Sequence, residues 1–250
     1  MTKTPLRQFD RAYNALKTAI MDGEYRPGEQ IVVSKLTSPV RASRQPLMEA
    51  LKRLENEGLV EIIPQVGCRV AQPLSIQEIR DFYDIFALVE AFVSKLSAAR
   101  RTKQDVENLQ LISLEMENLI GAPLGQKETA HAYRHHNRRF HHAVHLMARS
   151  KYAEKIAESM WDRSSFYIAT LTNSLAFTER LEPAFAEHQQ IVQSIADGDE
   201  QITYDIVKRH ILAAGKATLM HMQESVFDED SKTRHRSRAE EIVGEDPEAR

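Results

Sequence analysis

The strongest constraint in this sequence is where its helix breakers fall. Gly and Pro crowd the first part of the chain, at Gly23, Pro27-Gly28, Pro39, Pro46, Gly58, Pro64, Gly67 and Pro73, whereas residues 74–226 carry helical periodicity with few interruptions. A chain punctuated this way divides into a compact head of short elements and a body of long helices, with the junction at Ala71-Gln72-Pro73. The expected organisation is a head over 1–72, an all-helical body over 74–226 and a solvated, disordered tail over 227–250, where DEDSKTRHRSRAEEIVGEDPEAR offers little to bury. No internal repeat is visible.

Charge follows the same division. Through Gln72 there are 11 Lys/Arg against 8 Asp/Glu, although the whole chain has 33 against 36. A mildly basic head therefore precedes an acidic body, and any nucleic-acid partner must be met by a local patch rather than by net charge. Hydrophobic residues make up 42% of the chain, enough for a packed core, yet no run approaches the roughly 18 apolar residues that a membrane span needs. The single cysteine, Cys68, cannot form an intrachain disulfide, and the opening MTKTPLRQFD lacks an apolar signal core. A cytoplasmic protein with no membrane partner is the expectation.

In the head, Leu6, Phe9, Tyr13, Leu16 and Ile20 recur at helical spacing and predict a helix over about 6–22. A short second helix is expected around Ser34–Ser38. Ser43 is placed to cap a third, with Pro46 in its first turn and Gly58 at its end. Leu47, Ala50, Leu51 and Leu54 share the inner face of that helix, leaving Arg44, Gln45, Met48, Glu49 and Lys52 outward. The runs LVEIIP and CRVAQ, joined by Gln65-Val66-Gly67, read as a hairpin. Three short helices and a hairpin make a winged helix-turn-helix. Such a unit either sets its third helix in the DNA major groove or serves protein association, and the pattern admits both.

The body opens on the capping box Ser75-Ile-Gln-Glu78, followed by a long apolar face of Ile79, Phe82, Tyr83, Phe86, Val89, Phe92 and Val93. Further helices are expected over 102–120, 127–148, 151–172, 178–197 and 199–224, so the fold class is mostly α: a winged head and an antiparallel bundle of about six helices. Histidine is concentrated here, with six of the ten in HAYRHHNRRFHHAVH, His131 to His145. Asn137 and His141 are one helical turn apart on one face, with Arg134, Arg138 and His145 alongside. A solvated helix surface explains such a cluster by itself. However, His188 lies beside Ile191, Val192 and Ile195, and His210 beside Ile206, Val207 and Ala214, on faces that should turn inward. Asn137, His141, His188 and His210 would then converge as one oxygen and three imidazole ligands, a set that suits zinc, nickel or manganese. His221 lies 11 residues beyond His210, about 16 Å along a helix, too far to join them.

Two stretches carry a family resemblance. The head sequence, with PGE, SRQPLMEAL, RLENEGLV and the wing glycine in order, resembles the DNA-binding head of GntR-type bacterial transcription regulators over about 55 residues. NRRFHHAV, AEHQQIVQSIADGDEQ and KRHILAA are similar to the FCD ligand domain of the FadR branch of that family. The resemblance implies a DNA surface made of Lys35, Arg41, Ser43, Arg44, Gln45, Met48 and Lys52, with Gly67 letting the wing tip approach the duplex. Met48 stands where the family usually carries an arginine, and Arg41 where it often has glycine. In the body it implies a divalent metal, zinc first, on Asn137, His141, His188 and His210, in a family where an Asp often replaces the Asn. It also implies a small carboxylate effector beside that metal. Phe86 stands where the family commonly has an effector-binding arginine, leaving Arg134, Arg138 and Arg163 as anion partners.

Two function classes follow. One is a homodimeric transcription factor that reads an inverted-repeat operator in double-stranded DNA and responds to a bound metabolite. The other is a metal-dependent hydrolase or isomerase with an accessory winged domain. There is no HExxH motif, and Glu187 projects about 100° away from His188 on a helix, so the intact head favours the regulator. Coupling between the halves is expected through the first body helix, Ser75–Arg100, the element contiguous with the wing.

Overall fold

The computed structural model describes residues 8–21, 24–72, 74–120, 122, 125–171 and 180–244, without the side chains of 37–39, 126–127, 130 and 223–244. The head consists of α1 (Gln8–Met21), β1 (Gln30–Ile31), α2 (Val33–Val40), α3 (Arg44–Asn56), β2 (Val60–Ile63) and β3 (Gly67–Val70). Ala12, Tyr13, Leu16 and Ile20 of α1 pack into one core with Leu47, Ala50, Leu51 and Leu54 of α3, the i, i+3, i+4, i+7 face read from the sequence. Gly58, at φ +76°, takes the left-handed conformation that ends α3, and its N–H and that of Leu59 bond back to the last turn. The chain then enters the hairpin, whose turn again uses positive φ at Gln65 and Gly67.

Two details of the head differ from the sequence reading. Ser43 occupies the N-cap position with extended backbone, but its hydroxyl makes no capping bond. Instead its N–H and hydroxyl both donate to the Gln8 side-chain oxygen, at 3.0 and 3.2 Å, which ties the start of α3 to α1. The wing is also a three-stranded antiparallel sheet in the order β1-β3-β2, because Gln30 and Ile31 pair with Arg69 and Cys68. Two residues are too few to show alternation, so β1 left no periodic signal. Cys68 lies buried in β3, where burial pushes its thiol up to about 11.

The body is α4 (Ile76–Arg100), α5 (Lys103–Glu117), α6 (Gln126–Met147), α7 (Lys151–Leu171), α8 (Leu181–Asp197) and α9 (Glu200–Gly244), nine helices in all among the described residues. The Ser75/Glu78 capping box is formed, and a second one, Thr102/Asp105, starts α5. α9 lies along α4, close enough that a Cβ on Gly215 would stand 2.6 Å from the Tyr83 ring. The Tyr83 hydroxyl holds this centre together through Ser164 of α7 and Thr218 of α9, at 3.2 and 3.1 Å. The backbone of α9 continues helical to Gly244, into the stretch expected to be a tail, and 245–250 lie outside the described residues. Low apolar content argues against a core, but Glu, Lys, Arg and Ala are strong helix formers without one. Among the described residues no helix is long and apolar enough to cross a membrane.

Gly215 yields a direct test of the α4–α9 packing. Gly215→Ala adds a methyl against a ring held by two buried hydrogen bonds, and the overpacking should outweigh the gain in helix propensity. Stability is expected to fall by about 1–2 kcal/mol in a denaturant titration. A more stable variant would show that α9 does not approach Tyr83 this closely.

Candidate metal centre and head interface

On the head, Lys35, Arg41, Ser43, Arg44, Gln45, Lys52 and Gly67 are all exposed. Arg44, at the first position of α3, shares one open groove with Gln30, Val33, Ser34, Val66 and Gly67, so the start of the third helix and the wing tip border the same concavity. Met48 is different. It packs half-buried against the head core, as a thioether does beside leucines, and offers its neighbours no hydrogen-bond donor. Arg41 has φ +52°, the left-handed region that favours glycine, and its carbonyl accepts from Arg11 Nη2 at 3.2 Å.

In the body, three histidines meet at the bundle centre from three helices: His141 from α6, His188 from α8 and His210 from α9. One ring nitrogen from each lies within 4.8 Å of the other two, and all three residues are at most 5% exposed. His141 Nε2 and His188 Nε2 are 3.3 Å apart. Two donors about 2.1 Å from one tetrahedral ion stand roughly 3.4 Å apart, so this spacing fits a shared cation. Asn137, one turn before His141, is 7% exposed and its buried Oδ1 has no hydrogen-bond partner, so it has lone pairs to offer a cation. Burial, then the neighbouring His188, His210 and His145, keeps the His141 pKa well below its ordinary value. Burial, followed by His210 and Arg180, does the same to His188. Neutral imidazoles are what a metal requires. The residues present therefore fit a divalent ion.

A cavity of about 40 Å³ opens beside this cluster, lined by Phe86, Tyr133, Asn137, Trp161, Arg180 and His210 among others. Trp161 lies against the His141 ring at 4.2 Å and meets Phe86 edge-on, so aromatic rings form the side of the chamber nearest His141. Sequence reading missed its cation. Arg180 Nη2 donates to both oxygens of Glu187 at 2.9 Å, and Glu187 Oε2 is 2.6 Å from His210 Nδ1. Glu187 does leave the His188 face, as the helical angle requires, but α9 brings His210 to meet it. Glu90, fully buried on α4, was likewise unmarked; its oxygens lie 3.0 and 3.1 Å from His145 Nε2 and 3.7 Å from His141 Nδ1. A carboxylate inside an otherwise apolar helical stripe has no sequence signature of its own.

The arginines chosen from sequence lie elsewhere. Phe86 lines the chamber, whereas Arg134, Arg138 and Arg163 are not among its lining residues. Arg134 Nη1 donates to the Met21 carbonyl at the end of α1, at 2.5 Å. Arg163 Nε donates to the Glu57 carbonyl at the end of α3, at 3.2 Å. Arg138 faces Asp162 at 3.4 Å, and Asp162 accepts from Lys17 of α1 at 2.5 Å. Lys17 also reaches Glu57, which in turn accepts from the Tyr13 hydroxyl. Burial alone would depress the Lys17 ammonium, but Asp162 and Glu57 more than offset it and hold its pKa above the lysine norm. These cations join head to body, because helix C-terminal carbonyls and a half-buried carboxylate are strong acceptors for them.

Comparison with known proteins agrees with this architecture. Residues 8–70 match the family described as bacterial regulatory proteins, gntR family, and residues 81–213 match the FCD domain. The HTH-type transcriptional repressor GlaR of Escherichia coli (strain K12) is 27% identical over 201 residues, covering 80% of this chain and 90% of GlaR. The HTH-type transcriptional regulator LutR of Bacillus subtilis (strain 168) is 26% identical over 202 residues, covering 72% and 87% of the two chains. Among solved structures, E. coli McbR/YncC superposes with a TM-score of 0.72 at 17% identity, over 88% of this chain and 99% of that one. A regulator from Rhodococcus sp. RHA1 gives 0.66 at 19% identity, over 85% and 97%. At these identities the structures speak for the fold.

The buried histidines carry a pH dependence. Because folding lowers the pKa of His141 and His188, below about pH 6.5 the unfolded chain binds protons that the native state refuses. Stability is therefore retained above that value and lost as pH falls, by up to roughly 1.4 kcal/mol per pH unit for each group. With chelator present, the melting temperature should drop between pH 7.5 and 5.5, and His188→Gln should flatten the slope. An unchanged slope would contradict the assignment of His188 as a buried neutral imidazole.

Proposed function

The chain belongs to the GntR family of bacterial regulatory proteins, with an FCD domain behind its winged head, and on that premise we propose a homodimeric regulator whose operator affinity is set by a small carboxylate bound at a metal site in the helical chamber. The family and its relatives are transcription regulators, which disfavours the hydrolase reading. On DNA, α3 would enter the major groove, Arg44 contacting a base edge bidentately and Lys35, Arg41, Ser43, Gln45 and Lys52 serving phosphates and neighbouring bases, with the backbone at Gly67 approaching the duplex from the wing. The groove shared by Arg44 and Gly67 supports this arrangement. Repression, the mode that GlaR is named for, is the expected sign. Dimerisation would use the stripe Ile85, Leu88 and Phe92 of α4, which is 48–57% exposed at i, i+3 and i+7 and would be costly to leave in water.

Asn137, His141, His188 and His210 would hold the ion, zinc first, with nickel and manganese as the alternatives. A bound ion supplies a Lewis-acid contact for a ligand oxygen. Arg180, on the chamber wall, takes the anion-binding role first assigned to Arg134, Arg138 and Arg163. A water needs about 10–15 Å³ of such space, so a cavity of about 40 Å³ selects an acid of a few heavy atoms.

The observation that carries ligand control is that two helices bear the chamber on one side and the head on the other. On α6, Asn137 precedes Arg138; on α7, Trp161 precedes Asp162 and Arg163. Coupling thus has a shorter route than the α4 path expected from the sequence: a shift of Trp161 moves the groups that grip α1 and the end of α3.

DNA selected from a random pool should contain an inverted repeat, and Arg44→Ala should lose roughly 1–3 kcal/mol of discrimination at one position per half-site. With zinc-loaded protein, one member of a panel of short-chain acids should shift operator affinity about 5–150-fold, and Asp162→Asn should blunt that shift. Equal binding to selected and random DNA would defeat the operator reading. A full response in Asp162→Asn would defeat the α7 route.

A further inference from the structure

The histidine cluster beside the chamber has more carboxylate around it than its ligand set explains. Three neutral imidazoles and the neutral amide of Asn137 would leave a divalent ion with its whole double charge in a site where every candidate ligand is at most 7% exposed. An uncompensated charge at such a depth is costly. Two glutamates sit directly behind the ligands. Glu187 Oε2 lies 2.6 Å from the outer nitrogen of His210, Nδ1, where a carboxylate would hold a proton and leave Nε2 to an ion at the centre. Glu90 lies 3.7 Å from His141 Nδ1 while His141 Nε2 faces His188. Glu90 is also 0% exposed, and among the described residues no Lys or Arg nitrogen lies within 4 Å of it; its ion-pair partners are His141 and His145. Full burial of a carboxylate against histidines alone makes sense if a nearby cation completes the balance.

Building on the metal reading above, we propose that Glu90 and Glu187 are outer carboxylates of the site, Glu187 orienting His210 and Glu90 standing behind His141, and that together they supply the two negative charges that the neutral ligand set does not. They are positioning residues, acting on the ion through the imidazoles. The division of labour differs for each. Glu90 is anchored by His145 Nε2 at 3.0 and 3.1 Å and turns its charge toward the centre, with His141 Nδ1 3.7 Å away. Glu187 is shared with Arg180 on the chamber wall, so its charge is partly tied to the cation that would receive a ligand's carboxylate. The third ligand has no such support: His188 Nδ1 is buried without a hydrogen-bond partner.

The test is a double-mutant cycle on zinc affinity, measured on the full chain by competition with a chromophoric chelator, alongside the melting temperature of each metal-free protein. Glu187→Gln and Glu90→Gln should each weaken zinc binding about 10–100-fold. Asn137→Asp should then tighten it only a few-fold in the parent but by at least about tenfold in the Glu187→Gln background, because an inner carboxylate replaces the lost outer one. That unequal gain is what a merely structural glutamate would not produce. Glu187 is partly exposed and its isosteric replacement keeps the cycle readable even where Glu90→Gln fails to fold. Equal gains in both backgrounds, or unchanged affinity in Glu187→Gln, would overturn the charge-balance proposal while leaving the metal reading intact. A parent protein that binds no zinc would overturn both.

Discussion

Everything in the body depends on three imidazoles being brought together out of water. His141, His188 and His210 come from α6, α8 and α9, and their nitrogens meet only if those helices share one depth and one rotation. Packing alone would favour apolar residues at such positions, since buried polar groups without partners cost roughly 1–3 kcal/mol each. The bundle accepts them together with a fully buried Glu90 and an orphaned Asn137 oxygen. A polar centre beside the rings of Phe86, Phe140 and Trp161 has the composition that ligand sites share, a few convergent polar groups in apolar surroundings.

The same helices explain how a centre at that depth reaches the DNA-reading surface. Neighbouring residues on a helix point about 100° apart, so a turn that lines the chamber with one residue faces outward with the next. On α6 and α7 the outward residues are Arg138, Asp162 and Arg163, and what they face is the head: Lys17 directly, and the carbonyl that closes α3. A continuous core of buried apolar residues runs from Leu16 and Leu54 in the head to Phe86 and Phe166 in the body. Close-packed interiors of this kind transmit small displacements rather than absorbing them.

Much of this was legible in the sequence, and the limits have physical causes. The long amphipathic faces, the Ser75 capping box and the inner face of α3 are local or periodic signals, as are the inward faces that carry His188 and His210, and the structure shows the three histidines together. What escaped was non-local. A carboxylate's partner is chosen by the helix that arrives opposite it, so Glu187 was dismissed from its own helical angle although α9 delivers His210 to its oxygens. Arg134 and Arg163 are offered as anion partners by the family resemblance, and Arg134 also by the polar face it shares with Asn137 and His141. Their long side chains instead reach carbonyls at Met21 and Glu57, over a hundred positions away in the chain. The β1 strand is too short to alternate and so leaves no periodic signal.

The central claim is that events at the buried histidines are felt at the head through α6 and α7. Hydrogen exchange measured on the full chain with and without saturating zinc tests it most directly. The account expects slower exchange in α6 and α7 and also in α1 and the segment around Glu57–Leu59, which have no contact with the histidines. Protection that changes only within the body, leaving α1 and the end of α3 unaffected, would contradict it.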